Sequence, residues 1–344
     1  MTAHFSWLEL DKDYTKQMDQ LNEMQSQLRQ SKFMDELQCN DMVASYNLNG
    51  QDLANNPELQ RDIYDSFHNQ CGCVILKDAF SVDSMNDYNK WCEEWLTKNP
   101  ADKNGTHTKQ ASKFLINDVI GRLSSSKPSL FMELMNNEQL TTTLDILLGF
   151  SKYGSVTTHW IQGHGTRQMS HVDYPIHVGS GKFWEGSASK MQSMITRKQI
   201  NDVFKFYSCQ VIIASDAMDD RNGSTEVVPA SHLLKDLDVN IHDKAFYNLV
   251  EPKFQNVKLN QGDLLIFNRA LLHRGGQNST DNRRNSLIMQ CVYSFGVGQE
   301  IIDYGKVKEN IKDTEAFKSL SEEDKQRFLL RFKFVYPLDV TQSA

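Results

Sequence analysis

Between residues 155 and 293 apolar side chains come in short runs, broken by Gly, Pro and Asn. The segments 155–162, 209–214, 225–229, 257–259, 263–267 and 287–293 are rich in β-branched and aromatic residues, and each is of strand length. No helical pattern alternates between them as it would in a parallel sheet with crossovers. The expected fold class is therefore mainly β with flanking helices, an α+β chain whose centre is a sandwich or jelly roll.

Upstream the period is helical. Met18, Leu21, Met24 and Leu28 form a stripe in the first 40 residues, and 41–60, with Asn49-Gly50 and Asn55-Asn56-Pro57, is expected to be a connecting stretch. The run 71–77 is expected to be a strand, which makes Cys71 and Cys73 buried strand residues rather than ligands. Ser81 can cap a helix through Trp95 that buries Met85, Tyr88, Cys92 and Trp95. A polar loop follows at 100–108, then one helix over 130–148 ended by Gly149. The last helix is expected to start near Ser321, with acidic residues first and basic ones toward Arg331.

Chemistry enters at Met169-Ser170-His171-Val172-Asp173-Tyr174. In an extended chain alternate side chains share a face, so His171 and Asp173 can reach one metal ion. A third ligand stands at His273, after the apolar run 262–267. Two His and one carboxylate are the ligand set of non-haem Fe(II) oxygenases. Beyond His273 a turn-rich segment, 275–282, precedes an apolar run that begins at Arg283. That spacing reads as a hairpin returning beside the His273 strand. Arg284 and Ser286 share one face of it, a planar fork plus a hydroxyl suited to a carboxylate. Arg283 takes the other face. His159, His164, His177 and His232 are read as polar or turn residues, not as ligands.

These blocks resemble the phytanoyl-CoA dioxygenase family over about residues 71–295. The resemblance rests on His171-Val172-Asp173, on Asp219-Asp220-Arg221-Asn222-Gly223 leading into Val227-Val228-Pro229-Ala230-Ser231-His232, on 262–267, and on His273 followed by Arg284. It implies a double-stranded β-helix, the jelly roll of cupins. It also implies Fe(II) held by His171, Asp173 and His273, with O2 and the cosubstrate 2-oxoglutarate at the remaining positions. Arg284 and Ser286 would grip the far carboxylate of 2-oxoglutarate, and Lys113 is the counterpart of a lysine that contacts it in some relatives. Related halogenases lack the carboxylate ligand, so Asp173 implies hydroxylation, or another oxidation of an aliphatic carbon, with release of succinate and CO2. The chain departs from the family at 211–213, where a large residue is common, and at Ala230, where Gly is common.

The expected organisation is a helical extension over 1–60, an oxygenase domain over 61–300 and a C-terminal helical segment over 301–344. Within the domain, 177–207 is read as a lid. It carries Lys182, Lys190, Arg197, Lys198 and Lys205 against Glu185 and Asp202, an excess of three positive charges in a chain of net charge −7. An anionic small-molecule substrate would be steered by that contrast. The overall negative charge argues against nucleic acid, and no apolar run is long enough for a membrane span. Six scattered Cys read as reduced thiols in a cytoplasmic protein. Oligomeric state is not legible. Two other functions fit the same pattern: a jelly-roll binding protein without redox activity, or the same oxygenase chemistry acting on a protein side chain.

Overall fold

The computed structural model describes residues 43–48, 52–100, 113–173, 208–233, 248, 250–293 and 302–333. The stripe in the first 40 residues, most of the polar loop and the whole of 177–207 lie outside them. Ten strands form two sheets among the described residues. They are β1 (Ala44–Asn47), β2 (Cys73–Lys77), β3 (Lys113–Ile116), β4 (Ser151–Ile161), β5 (Ser208–Ile213), β6 (Thr225–Val227), β7 (Gln255–Asn256), β8 (Leu264–Asn268), β9 (His273–Gly275) and β10 (Arg284–Tyr293). The larger sheet has the order β1-β2-β8-β5-β10-β4-β3, and the smaller one β7-β6-β9.

Alternation along the central strands sorts side chains to two cores. Val211, Ile213, Leu264, Ile266, Leu287 and Met289 point to a large cluster shared with the helices. Ile212, Leu265 and Phe267 face the other way and pack with Val227, Val257, Leu259 and Leu271, between the two sheets.

The helices cover the first face. They are α1 (Pro57–His68), α2 (Val82–Lys98), α3 (Val119–Ser126), α4 (Pro128–Met135), α5 (Glu138–Leu148), α6 (Tyr304–Ile311), α7 (Glu315–Lys318) and α8 (Glu322–Leu330). Ser81 caps α2 as its position implied, accepting from the Ser84 amide, and Ser321 caps α8 by accepting from Asp324. On α2, Met85, Tyr88, Trp91, Cys92 and Leu96 are buried, while Trp95 is only half-buried.

Four expectations are corrected. The stretch 41–60 is not merely connecting: β1 pairs parallel with β2, and Asn56 with Pro57 starts α1. The helix expected over 130–148 is two helices. Asn137 breaks it, because its side chain accepts from the Leu140 amide to cap α5 and donates to the carbonyl of Ala79. At 257–259 there is no strand; the strand is β7, and Leu259 makes an isolated bridge with Met218.

The expected hairpin does not form either. β9 pairs with β6 in the small sheet, whereas β10 lies between β5 and β4 in the large one. Asn278 fixes the crossing, donating to the carbonyls of Gln162 and Asn282. β10 is buried on both faces and needs a central place, which a hairpin with a three-residue edge strand would not provide.

Candidate metal centre

His171 and Asp173 sit on a short extended segment, not on a regular strand. That segment is sewn to the chain around β9. The Gln168 amide donates to Gly275 O, His171 and His273 exchange backbone hydrogen bonds, and the Asp173 amide donates to Arg269 O, all at 2.9 Å. Val172 between the ligands is 6 % exposed and turns into the core, so His171 and Asp173 share the opposite side.

The three side chains converge. One donor atom from each of His171, Asp173 and His273 lies within 4.8 Å of the others. Asp173 Oδ2 is 3.7 Å from His273 Nε2, and the two imidazole centroids are 4.4 Å apart. Each ring is oriented by a carbonyl: His171 Nδ1 contacts Met169 O at 2.8 Å and His273 Nδ1 contacts Leu271 O at 2.9 Å. A carbonyl can only accept, so both Nδ1 atoms carry the proton and both Nε2 lone pairs are left for a metal. Burial, aided by His171 and Arg269 and opposed by Asp173, depresses His273 to about 4. His273 is therefore neutral at physiological pH, as a ligand must be. The set could hold a divalent ion, and two His with one carboxylate is the donor set of non-haem Fe(II) enzymes.

A buried cation backs the carboxylate. Arg269, 4 % exposed, places Nε 3.9 Å from Asp173 Oδ2. Burial holds the Arg269 pKa below its ordinary value, against the opposing pull of Asp173. Sequence reasoning missed this residue, since nothing in the pattern separates it from a surface arginine.

Arg284 and Ser286 share the sheet face that looks toward the small sheet. Arg284 Nη1 donates to Ser286 Oγ at 3.1 Å, and Nη2 to the carbonyl of Gly223 at 2.5 Å. Arg284 is 5 % exposed, and burial lowers its pKa to about 10. Among the described residues no carboxylate pairs with it within 4.0 Å, and Asp216 acts on its charge only at longer range. Lys113 opens β3 opposite Ile161, and Ile161 is in turn opposite Arg284, so all three stand level in one row of the sheet.

Arg283 takes the other face, stacked 4.1 Å over Trp160 and paired with Glu93. It lines a cavity of about 520 Å³ with Asn89, Asp216 and Asn285, on the face of the sheet away from the triad. His232 is fully buried and contacts the His68 carbonyl at 3.2 Å. His164 is paired with Asp281 at the surface. Cys71 and Cys73 are buried thiols.

Comparison with known proteins agrees with this geometry. The family model for phytanoyl-CoA dioxygenase (PhyH) matches residues 67–286, so the chain belongs to the phytanoyl-CoA dioxygenase family. Among solved structures it is similar to the epimerase SnoN in complex with Fe3+, alpha ketoglutarate and nogalamycin RO. The TM-score is 0.51 at 16 % identity, over 70 % of this chain and 86 % of that one. It is similar also to SnoK, a non-heme alpha ketoglutarate dependent carbocyclase from nogalamycin biosynthesis. There the TM-score is 0.50 at 16 % identity, with the same shares covered. Both likenesses are of fold, the jelly roll expected above. No curated protein sequence matches the chain. Family and donor set together make this an Fe/2-oxoglutarate-dependent enzyme.

Proposed function

We propose that the protein hydroxylates, or otherwise oxidises, an aliphatic carbon of a small anionic molecule, consuming 2-oxoglutarate and O2 and releasing succinate and CO2. The observation that carries this reading is the pairing of a converged His171-Asp173-His273 triad with the buried Arg284, which pairs with no carboxylate among the described residues. A jelly-roll binding protein would have no need to keep both.

Iron held by the triad would activate O2, with 2-oxoglutarate giving up two electrons as it becomes succinate and CO2, and so supply the oxidising power that cleaves a carbon–hydrogen bond. The residues of the chain do the rest. His171 and His273 present their Nε2 atoms because Met169 and Leu271 hold the opposite nitrogens. Asp173 contributes the negative charge, and the buried Arg269 guanidinium stands 3.9 Å from its Oδ2. Arg284 and Ser286, in contact with each other, are our choice for the far carboxylate of the cosubstrate, and Lys113, level with Arg284 in the sheet register, is our further candidate. Phe267 sets its ring 4.7 Å from that of His273, an apolar neighbour for that ligand.

SnoN is described as an epimerase and SnoK as a carbocyclase, so fold alone leaves the outcome of the oxidation to product analysis. The segment 177–207, with five cations against two anions, is our choice for the element that attracts a negatively charged substrate. Five described cysteines are free and buried, which supports a reducing, cytoplasmic setting. Among the described residues no helix is long and apolar enough to cross a membrane. The deciding experiment is succinate formation by the purified protein with Fe(II), 2-oxoglutarate and a panel of small carboxylates and phosphates. Substrate-dependent succinate supports the reading. Its absence across the panel, with iron bound, would favour a non-redox role.

A further inference from the structure

Strand β10 is apolar from Leu287 to Val292 except at one position, Gln290. Leu287 and Met289 turn to the helix side, and Ile288 packs against the cluster between the sheets. Gln290 therefore shares the inner face with Ile288, Ser286 and Arg284. It is 2 % exposed, and among the described residues neither Oε1 nor Nε2 has a hydrogen-bond partner. A primary amide buried with both ends idle is costly, and an apolar residue of the same size would fit this strand without that cost. Such exceptions in a native core concentrate where a ligand completes the bonds.

The register places Gln290 near the chemistry. It stands opposite Gln210 on β5, which is half-buried, and Gln210 stands opposite Phe267 on β8. Phe267 is the residue packed on His273. Two strand spacings put the Gln290 backbone roughly 10 Å across the sheet from that of Phe267. Arg284 lies at the opposite end of β10, so the cosubstrate end and the Gln290 end are distinct.

We propose that Gln290 anchors a substrate subsite for a carboxamide, or another group that donates and accepts side by side. This rests on the oxygenase reading above and adds a second handle to the negative charge proposed there. Gln290 would accept from the ligand N–H through Oε1 and donate to its carbonyl through Nε2, the two-point pairing of one amide with another. The rest of the substrate would extend over Phe267 toward the triad.

The test uses the full chain loaded with Mn(II), a redox-silent stand-in for iron, and three probes of one shape: benzamide, acetophenone and benzoate. Fragment binding is read by ligand-observed NMR, where Mn(II) broadens the signals of anything bound nearby, and stability is read as Tm. Wild type should bind benzamide about tenfold or more tighter than acetophenone, which accepts but cannot donate. Benzamide should also be broadened by Mn(II). Gln290→Met should erase the preference and raise Tm by a few degrees, because the idle amide is gone; Gln290→Leu repeats the measurement with another apolar shape. The proposal is overturned if wild type shows no benzamide preference, if the preference survives in both variants, or if both variants melt below wild type. That last result would mean the amide serves the fold. Failure of wild type to bind Mn(II) would count against the metal centre instead, and the preference and the Tm shift would still be read on metal-free protein.

Discussion

His171 and His273 hold each other by their backbones: each amide donates to the other's carbonyl, at 2.9 Å in both directions. The imidazoles are thus brought together by main-chain bonds that do not depend on the side chains. Replacing His171, Asp173 or His273 with Ala should therefore abolish iron binding and turnover while leaving the fold intact. Iron content per chain, turnover and a thermal melt check this together. Full turnover in His171→Ala would sink the assignment.

Arg284 should decide affinity for the cosubstrate. Arg284→Met removes a buried cation whose donors already point at Ser286 and the Gly223 carbonyl. We expect a loss of roughly 2–4 kcal/mol in 2-oxoglutarate binding, read as a steep rise in the concentration needed for half-maximal succinate formation. Ser286→Ala should cost about 1 kcal/mol. Arg283→Ala should change neither, since its guanidinium lies over Trp160 on the far face. A larger effect from Arg283 than from Arg284 would reverse the assignment of faces.

The alternation of Arg283, Arg284 and Ser286 was legible because a central strand obeys a period of two without exception until its bulge, which falls after Gln290. Strands β2, β4, β5, β8 and β10 of the larger sheet were legible as short apolar or β-branched runs, whereas β1, inside the stretch read as connecting, and β3 were not. What could not be read is where neighbouring strands go. The turn-rich 275–282 looks like a hairpin loop, yet it carries the chain from one sheet to the other, a choice made by Asn278 through partners distant in sequence. The break in the helix at Asn137 depends on the Ala79 carbonyl, also distant. Arg269 and Gln290 carry no pattern at all; only burial reveals them.

Gly262-Asp263 offers a test of the turn that launches β8. Gly262 has φ +91°, and a Cβ there would stand 2.2 Å from the Phe80 carbonyl oxygen. The Phe80 amide donates to Gly262 O at 3.0 Å, so the two chains cannot move apart cheaply. Asp263 secures the same junction, accepting from Lys77 Nζ at 2.7 Å and from the Asp78 amide at 3.0 Å. Gly262→Ala should destabilise by about 2 kcal/mol or more, from left-handed strain plus the clash. Urea unfolding measures it; an unchanged midpoint would mean the turn is softer than its geometry.

The last expectation concerns acid. Asp145 on α5 receives both terminal nitrogens of Arg331, at 2.9 and 2.8 Å, and Nη2 of Arg327 at 2.7 Å. Arg331 is 3 % exposed and also donates to Ser151 O and Oγ, so this one carboxylate pins the C-terminal helices to the start of β4. Burial pushes the Asp145 pKa up, but the hydrogen bonds and charges of Arg331 and Arg327 outweigh it and hold the carboxyl below its usual value. A depressed carboxylate stabilises the fold above its unfolded pKa, and that contribution is lost as pH falls through the folded value. Asp145→Asn should thus cost on the order of 3 kcal/mol at neutral pH, because it leaves a buried guanidinium without its counter-charge. The gap between wild type and Asp145→Asn should stay constant down to about pH 4, the unfolded value, and close below it, as the wild-type carboxyl takes up its proton and comes to resemble the amide. Denaturant melts of both proteins from pH 7 to pH 2 show the trend. A gap that persists unchanged at pH 2, or one that appears only in acid, would remove Asp145 as the anchor.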